Sequence, residues 1–237
     1  MIETSPLSAD LLASYRGWKA TAGEENRAGF RRLADIGQSP RAMVVSCCDS
    51  RGHVTAIFAA DQDAFFIHRN IANLVPPHAP DGTCHATSAA IEFAVPSLRV
   101  ANLVVLGHSG CGGVKGCHDM CSGKAPQLDQ GASYPGRWMD LLRPGYRRVA
   151  GIADESRQIR ALEKEAVPIS LENLVTFPFV RRAVEDELLM LHGLRIDIGT
   201  GGLERFSPEK GGSCPSDPAG PVPFSFFLPA GKTTRNP

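Results

Sequence analysis

The chain has 237 residues, with 25 Lys plus Arg against 25 Asp plus Glu, so it can bury one sizeable core and carries no net charge at neutral pH. That balance argues against nucleic acid or an anionic membrane as the main partner, since both call for a basic excess, and no apolar run is long enough to cross a bilayer. Seven cysteines, an odd number, do not read as a disulfide framework, and Met1 to Asp10 lacks the basic-then-apolar pattern of a secretory signal. The cytoplasm is the compartment that these features predict.

In chain order, Ala9 to Ala20 and Glu24 to Ile36 read as two helices. Leu11, Leu12, Tyr15 and Trp18 share an apolar face of the first, and Phe30, Leu33 and Ala34 a face of the second. Gly37-Gln38-Ser39-Pro40 ends the second helix and feeds a strand over Ala42 to Ser46. Ala64 to His68 is a second buried strand, Ala86 to Val95 a helix stopped by Pro96, and Val100 to Leu106 a third strand. Strand, helix, strand is a βαβ crossover, which predicts an α/β fold: one domain with a mainly parallel sheet flanked by helices. Gly123 to Gly136 reads as a surface loop, and Arg137 to Ala150 as a helix interrupted at Pro144-Gly145. Glu155 to Glu165 and Leu171 to His192 read as further helices, the second broken near Pro178, and Leu194 to Ile198 as a closing strand. The chain thus divides into a helical arm (1–40), an α/β core (41–206) and a Pro/Gly-rich tail (207–237) expected to be irregular, in which Phe224, Phe226, Phe227 and Leu228 are candidates for docking.

Chemistry concentrates behind the first and third strands. Cys47-Cys48-Asp49-Ser50-Arg51 follows one and His108-Ser109-Gly110-Cys111 the other. Parallel strands ending side by side bring Cys47, His108 and Cys111 to one point. Two thiolates and an imidazole, with a fourth position left free, are the donor set of a catalytic zinc site. Each of these residues alone would read as buried core; together they outweigh that reading. Asp49 and Arg51 read as a carboxylate–guanidinium pair beside the metal. Cys111, Cys117, His118 and Cys121 form a rival group. Cys117 and Cys121 share a helix face at i, i+4, a pattern that more often belongs to a partly buried helix face.

These motifs resemble the β-class carbonic anhydrases. Cys-x-Asp-Ser-Arg stands at 47–51 and His-x-x-Cys-Gly-Gly at 108–113, with Arg69-Asn70-Ile71-Ala72-Asn73, Ala89 to Val95, Asn173-Leu174 and Thr176 to Val180 also similar. The resemblance covers roughly Ala9 to Phe206; Cys48 and Gly52-His53 depart from it, as does the tail. It implies Zn2+ held by Cys47, His108 and Cys111, a catalytic Asp49/Arg51 dyad, and hydration of CO2 to bicarbonate by zinc-bound water. It further implies that Gln38 orients substrate, that Phe66 and Ile71 line an apolar CO2 pocket, and that Gly112 and Gly113 let backbone approach closely. Part of that pocket would come from a neighbouring subunit, so a homodimer or higher homo-oligomer is expected, and His85 is a weak proton-shuttle candidate. The alternatives are hydrolysis of a CO2 analogue (carbon disulfide or carbonyl sulfide), a non-catalytic zinc-binding bicarbonate sensor, and a thiol redox protein.

Overall fold

The computed structural model describes residues 5–21, 24–60, 63–81, 85–207 and 212–215. It forms two compact units, residues 1–39 and 40–237. The first holds helices α1 (Ala9–Thr21) and α2 (Glu24–Ile36), joined by an edge-to-face contact between Trp18 and Phe30 with ring centroids 5.7 Å apart. Leu11, Tyr15, Trp18 and Phe30 nevertheless stay exposed.

The second unit is built on β1 (Ala42–Cys47), β2 (Phe65–Asn70), β3 (Asn102–His108), β4 (Met190–Ile196), β5 (Leu203–Ser207) and β6 (Gly212–Pro215), in the sheet order β2-β1-β3-β4-β5-β6. The first four are mutually parallel; β5 and β6 are antiparallel additions. All six residues of β1 are buried, as a central parallel strand covered on both faces requires. On one face Met43, Val45, Leu103, Val105 and Leu191 pack against Val167, Leu171 and Leu174 of α8 (Glu155–Leu174), Ile91 of α4 (His85–Glu92) and Val180 of α9 (Pro178–Glu185). A separate cluster joins Cys47 and Cys111 to α5 (Gly112–Cys121), α6 (Tyr134–Met139), α7 (Arg143–Val149) and α8. The opposite sheet face, with Val44, Leu106, Leu194 and Ile196, receives Val54 from the one-turn helix α3 (Val54–Ile57) and Phe58 just beyond it. Among the described residues no helix is long and apolar enough to cross a membrane.

Several local expectations are corrected. α8 runs unbroken through Pro168, whose lost backbone donor is outweighed by a helix flank buried from Ala166 to Leu171. The segment ending at His192 is not one broken helix: α9 stops at Glu185 and His192 lies inside β4, with Nε2 2.9 Å from Asn102 Oδ1. Pro144 opens α7 at its first turn rather than interrupting a helix. The expected loop 123–136 contains a 3-10 turn at Pro126–Asp129 and the start of α6. Of the tail, Gly212–Pro215 is a strand rather than irregular; Phe224, Phe226, Phe227 and Leu228 lie outside the described residues, as does the side chain of His85.

Candidate metal centre

Cys47 is the last residue of β1, His108 the last of β3, and Cys111 the residue that opens α5. All three are at least nine-tenths buried, and their ligand atoms lie within 4.8 Å of one another, with the two sulfurs 3.9 Å apart. The hydrogen bond between the sulfurs lowers the Cys47 pKa; the same contact, together with burial, raises that of Cys111. The first proton therefore leaves the pair readily and the second is held, until a cation takes its place.

The tautomer of His108 follows from its neighbour. Nδ1 is 3.0 Å from the Ser109 carbonyl, which only accepts, so Nδ1 donates and Nε2 keeps its lone pair. Nε2 is buried and has no hydrogen-bond partner. Leaving such a group unmatched costs about 1–3 kcal/mol. A buried, unpartnered imidazole lone pair beside two thiols is a donor set that suits a borderline-soft divalent cation.

Asp49 and Arg51 form a fork. Arg51 Nε donates to Asp49 Oδ1 at 2.9 Å and Nη2 to Oδ2 at 2.7 Å, while the Arg51 backbone N–H adds a third bond to Oδ1 at 3.0 Å. These bonds hold the Asp49 carboxyl well below the usual carboxylate range. Arg51 Nη2 also reaches the Gly110 carbonyl at 3.0 Å, tying the two ligand loops together. The Asp49 carboxylate is not one of the groups that converge with the cysteines and His108.

Three residues to which sequence reasoning gave no site role hold this arrangement. Arg69 donates to the Cys47 carbonyl at 2.9 Å and the Asp49 carbonyl at 2.7 Å, clamping the first loop. Glu163 of α8 accepts from the amides of Gly110 (2.7 Å) and Cys111 (3.2 Å), and its other oxygen takes Arg195 Nη2 at 2.7 Å. The signal was present but faint. Glu163 interrupts a buried face beside Leu162 and Ala166, and Arg195 lies between Leu194 and Ile196, so each charge called for a partner.

The remaining expected residues are placed unevenly. Ile71 directly follows β2; Gly113 lies so close that a Cβ there would stand 2.5 Å from Ile71 Cγ2 and 3.1 Å from Ala72 Cβ. Gly112 has open space where a side chain would point. Phe66 is not brought to the cluster by its own chain: it packs in the core with its ring 5.8 Å from Phe93, four residues before the end of β2. Gln38 is exposed and belongs to the N-terminal unit. The rival group separates: Cys111 joins the main cluster, His118 Nε2 is bonded to Gln158 at 2.8 Å, and Cys117 and Cys121 remain as a pair.

Comparison with known proteins gives concordant matches. A family model described as carbonic anhydrase matches residues 42–203. β Carbonic anhydrase 3 of Arabidopsis thaliana is 35% identical over 193 residues, covering 80% of this chain and 72% of the relative. Among solved structures, one of two tetrameric β-carbonic anhydrases from the ascomycete Sordaria macrospora matches with a TM-score of 0.69 and 30% identity over 83% of this chain and 94% of that one. The β-carbonic anhydrase CcaA shares the fold at a TM-score of 0.78 and 23% identity, covering 88% of this chain and 91% of its own.

Proposed function

The chain belongs to the β-carbonic anhydrase family, and on that premise we propose that it is a zinc enzyme interconverting CO2 and bicarbonate, with Cys47, His108 and Cys111 as the metal ligands. The observation that carries the proposal is the convergence of two thiols and an unpartnered imidazole lone pair within 4.8 Å, next to a carboxylate locked by a guanidinium fork. Zinc held there supplies the Lewis acidity and activated water that CO2 hydration needs.

The protein's own groups do the rest. Asp49 Oδ1 takes two donors from Arg51, whereas Oδ2 takes one and keeps capacity to accept a further hydrogen bond. By fixing both oxygens, Arg51 keeps the carboxylate ionised and away from the ligand set, so Asp49 acts as hydrogen-bond acceptor and orienting group rather than as a ligand. Ile71 and Gly113 form an apolar edge beside Cys111, suited to a non-polar substrate. Gln38 and Phe66 contribute across a subunit boundary in this reading.

A homo-oligomer is part of the proposal. One sheet face of the core unit carries an open groove of about 310 Å3 lined by Val44, Phe58, Phe65, Val104 and Leu194, and the arm leaves six large apolar side chains exposed: Leu7, Leu11, Tyr15, Trp18, Phe30 and Ile36. Both are apolar surfaces that a second copy would cover. Cys47, Cys48, Cys111, Cys117 and Cys121 are free thiols, and the proposal places the chain in a reducing compartment such as the cytoplasm.

The test is metal analysis of the purified protein and of Cys47→Ser. The proposal expects one zinc per chain in the parent and its loss in the variant. Full zinc in Cys47→Ser would overturn the ligand assignment.

A further inference from the structure

Cys117 and Cys121 take no part in the catalytic centre. They lie one turn apart on α5, with their sulfurs 4.0 Å apart, close to the 3.9 Å of the Cys47–Cys111 pair. Cys117 is fully buried and Cys121, the last residue of the helix, is half-buried. Met120 and Met139 belong to the same core cluster, so the surroundings are rich in soft, polarisable sulfur.

Two uses of such a pair can be compared. A disulfide needs Cβ atoms about 3.5–4.5 Å apart. Helical neighbours at i, i+4 hold theirs at about 5–6 Å. Oxidation to a disulfide would therefore unwind the end of α5. An ion makes no such demand: with metal–sulfur bonds of about 2.3 Å, one ion touches both sulfurs at any separation up to about 4.6 Å. The observed spacing falls inside that limit with the helix intact.

His118, Asp119 and Glu155 also approach one another nearby, but Lys115 and Lys124 already pair with the two carboxylates and Gln158 takes His118 Nε2. That group is satisfied without a ligand. The dithiol is different because each thiol still has a proton to exchange.

We propose that Cys117 and Cys121 form a second, non-catalytic site for a soft monovalent cation of the Cu(I) class, bound as a bis-thiolate. Thiolates select such ions over harder divalent ones. In the binding step two S–H bonds break, two protons go to solvent and two metal–sulfur bonds form, with no change of oxidation state. The site changes from neutral to one negative charge; the Arg143 guanidinium favours the Cys121 thiolate, while Asp129 and Asp140, which pair with Arg143, oppose it. Burial otherwise raises both thiol pKa values, which keeps the empty pair protonated and unreactive.

The test is anaerobic titration of the zinc-loaded protein with Cu(I) against a chromophoric Cu(I) chelator, with released zinc measured in parallel. The proposal expects one Cu(I) per chain taken up with zinc retained, and X-ray absorption showing two sulfur neighbours. Cys121→Ser, at the half-buried helix end, should weaken uptake at least tenfold and leave CO2 hydration unchanged; Cys117→Ala should do the same to copper, and Cys48→Ser should not. Unchanged copper affinity in Cys121→Ser, or one zinc released for each copper bound, would overturn the proposal.

Discussion

Glu163→Gln removes one charge from a buried pair and almost nothing else. In the native protein Glu163 and Arg195 are 3% and 6% exposed, and their side chains meet at 2.7 Å. Breaking such a pair leaves the arginine charge buried, with Glu204 at 3.5 Å as its remaining carboxylate, and costs about 3–5 kcal/mol. For a domain of this size each kcal/mol lowers the melting temperature by roughly 2–4 °C, so a fall of roughly 6–20 °C is expected. Glutamine keeps an oxygen for the Gly110 and Cys111 amides. Glu163→Ala does not, and should cost about 1–3 kcal/mol more for each amide left unmatched. Because both amides adjoin the Cys111 ligand, zinc affinity should also fall by about 10–100-fold, as with other groups that orient metal ligands. Thermal melts and zinc competition on the parent and both variants test this. A shift below about 2 °C in Glu163→Gln would refute the reasoning, by showing the pair to be worth less than its burial implies.

Other consequences are equally specific. Arg51→Ala frees Asp49 from its fork and should lower kcat by about 10²-fold or more while zinc stays bound, as measured by stopped-flow kinetics beside metal analysis. Gly113→Ala puts a methyl group 2.5 Å from Ile71 Cγ2; it should cost about 1–3 kcal/mol and displace the start of α5, which chemical denaturation would register. Burial, helped by the positive charge of Arg205, depresses the pKa of His192 below its ordinary value of 6.5. The unfolded chain therefore binds a proton that the folded one refuses, and stability should decline as pH falls below 6.5, by at most about 1.4 kcal/mol per pH unit. His192→Gln should flatten that part of the melting-temperature profile, and an unaltered slope would assign the effect elsewhere.

The parts legible in the sequence were those coded locally. β1 and β3 are continuous apolar runs, each leading straight into a polar motif, so strands and ligand loops were found together. The closing strand expected from Leu194 matches the second half of β4, but its first half reads as helix because Gly193 imitates a helix stop; sheet pairing with β3 decides the matter, and that partner is 88 residues away in the Asn102–Met190 register. The expected end of a helix at Glu165 and start of another at Leu171 fail because burial of α8 against the sheet carries one helix through Pro168. The Cys47, His108, Cys111 cluster needed only strand order to assemble. The Glu163–Arg195 support was out of reach because neither residue has a partner close in sequence. Phe66 and Gln38 were named through family resemblance alone, and within this chain Phe66 stays in the core while Gln38 lies in the other unit.

In the proposed reaction the cluster at the strand ends, with its Asp49–Arg51 fork, hydrates CO2. Stopped-flow CO2 hydration by protein of known zinc content, from neutral to alkaline pH, tests it most directly. Fast turnover proportional to bound zinc and rising with pH is expected. Absence of turnover with one zinc bound per chain would contradict it and leave a bicarbonate sensor, or an enzyme for a CO2 analogue, on the same fold.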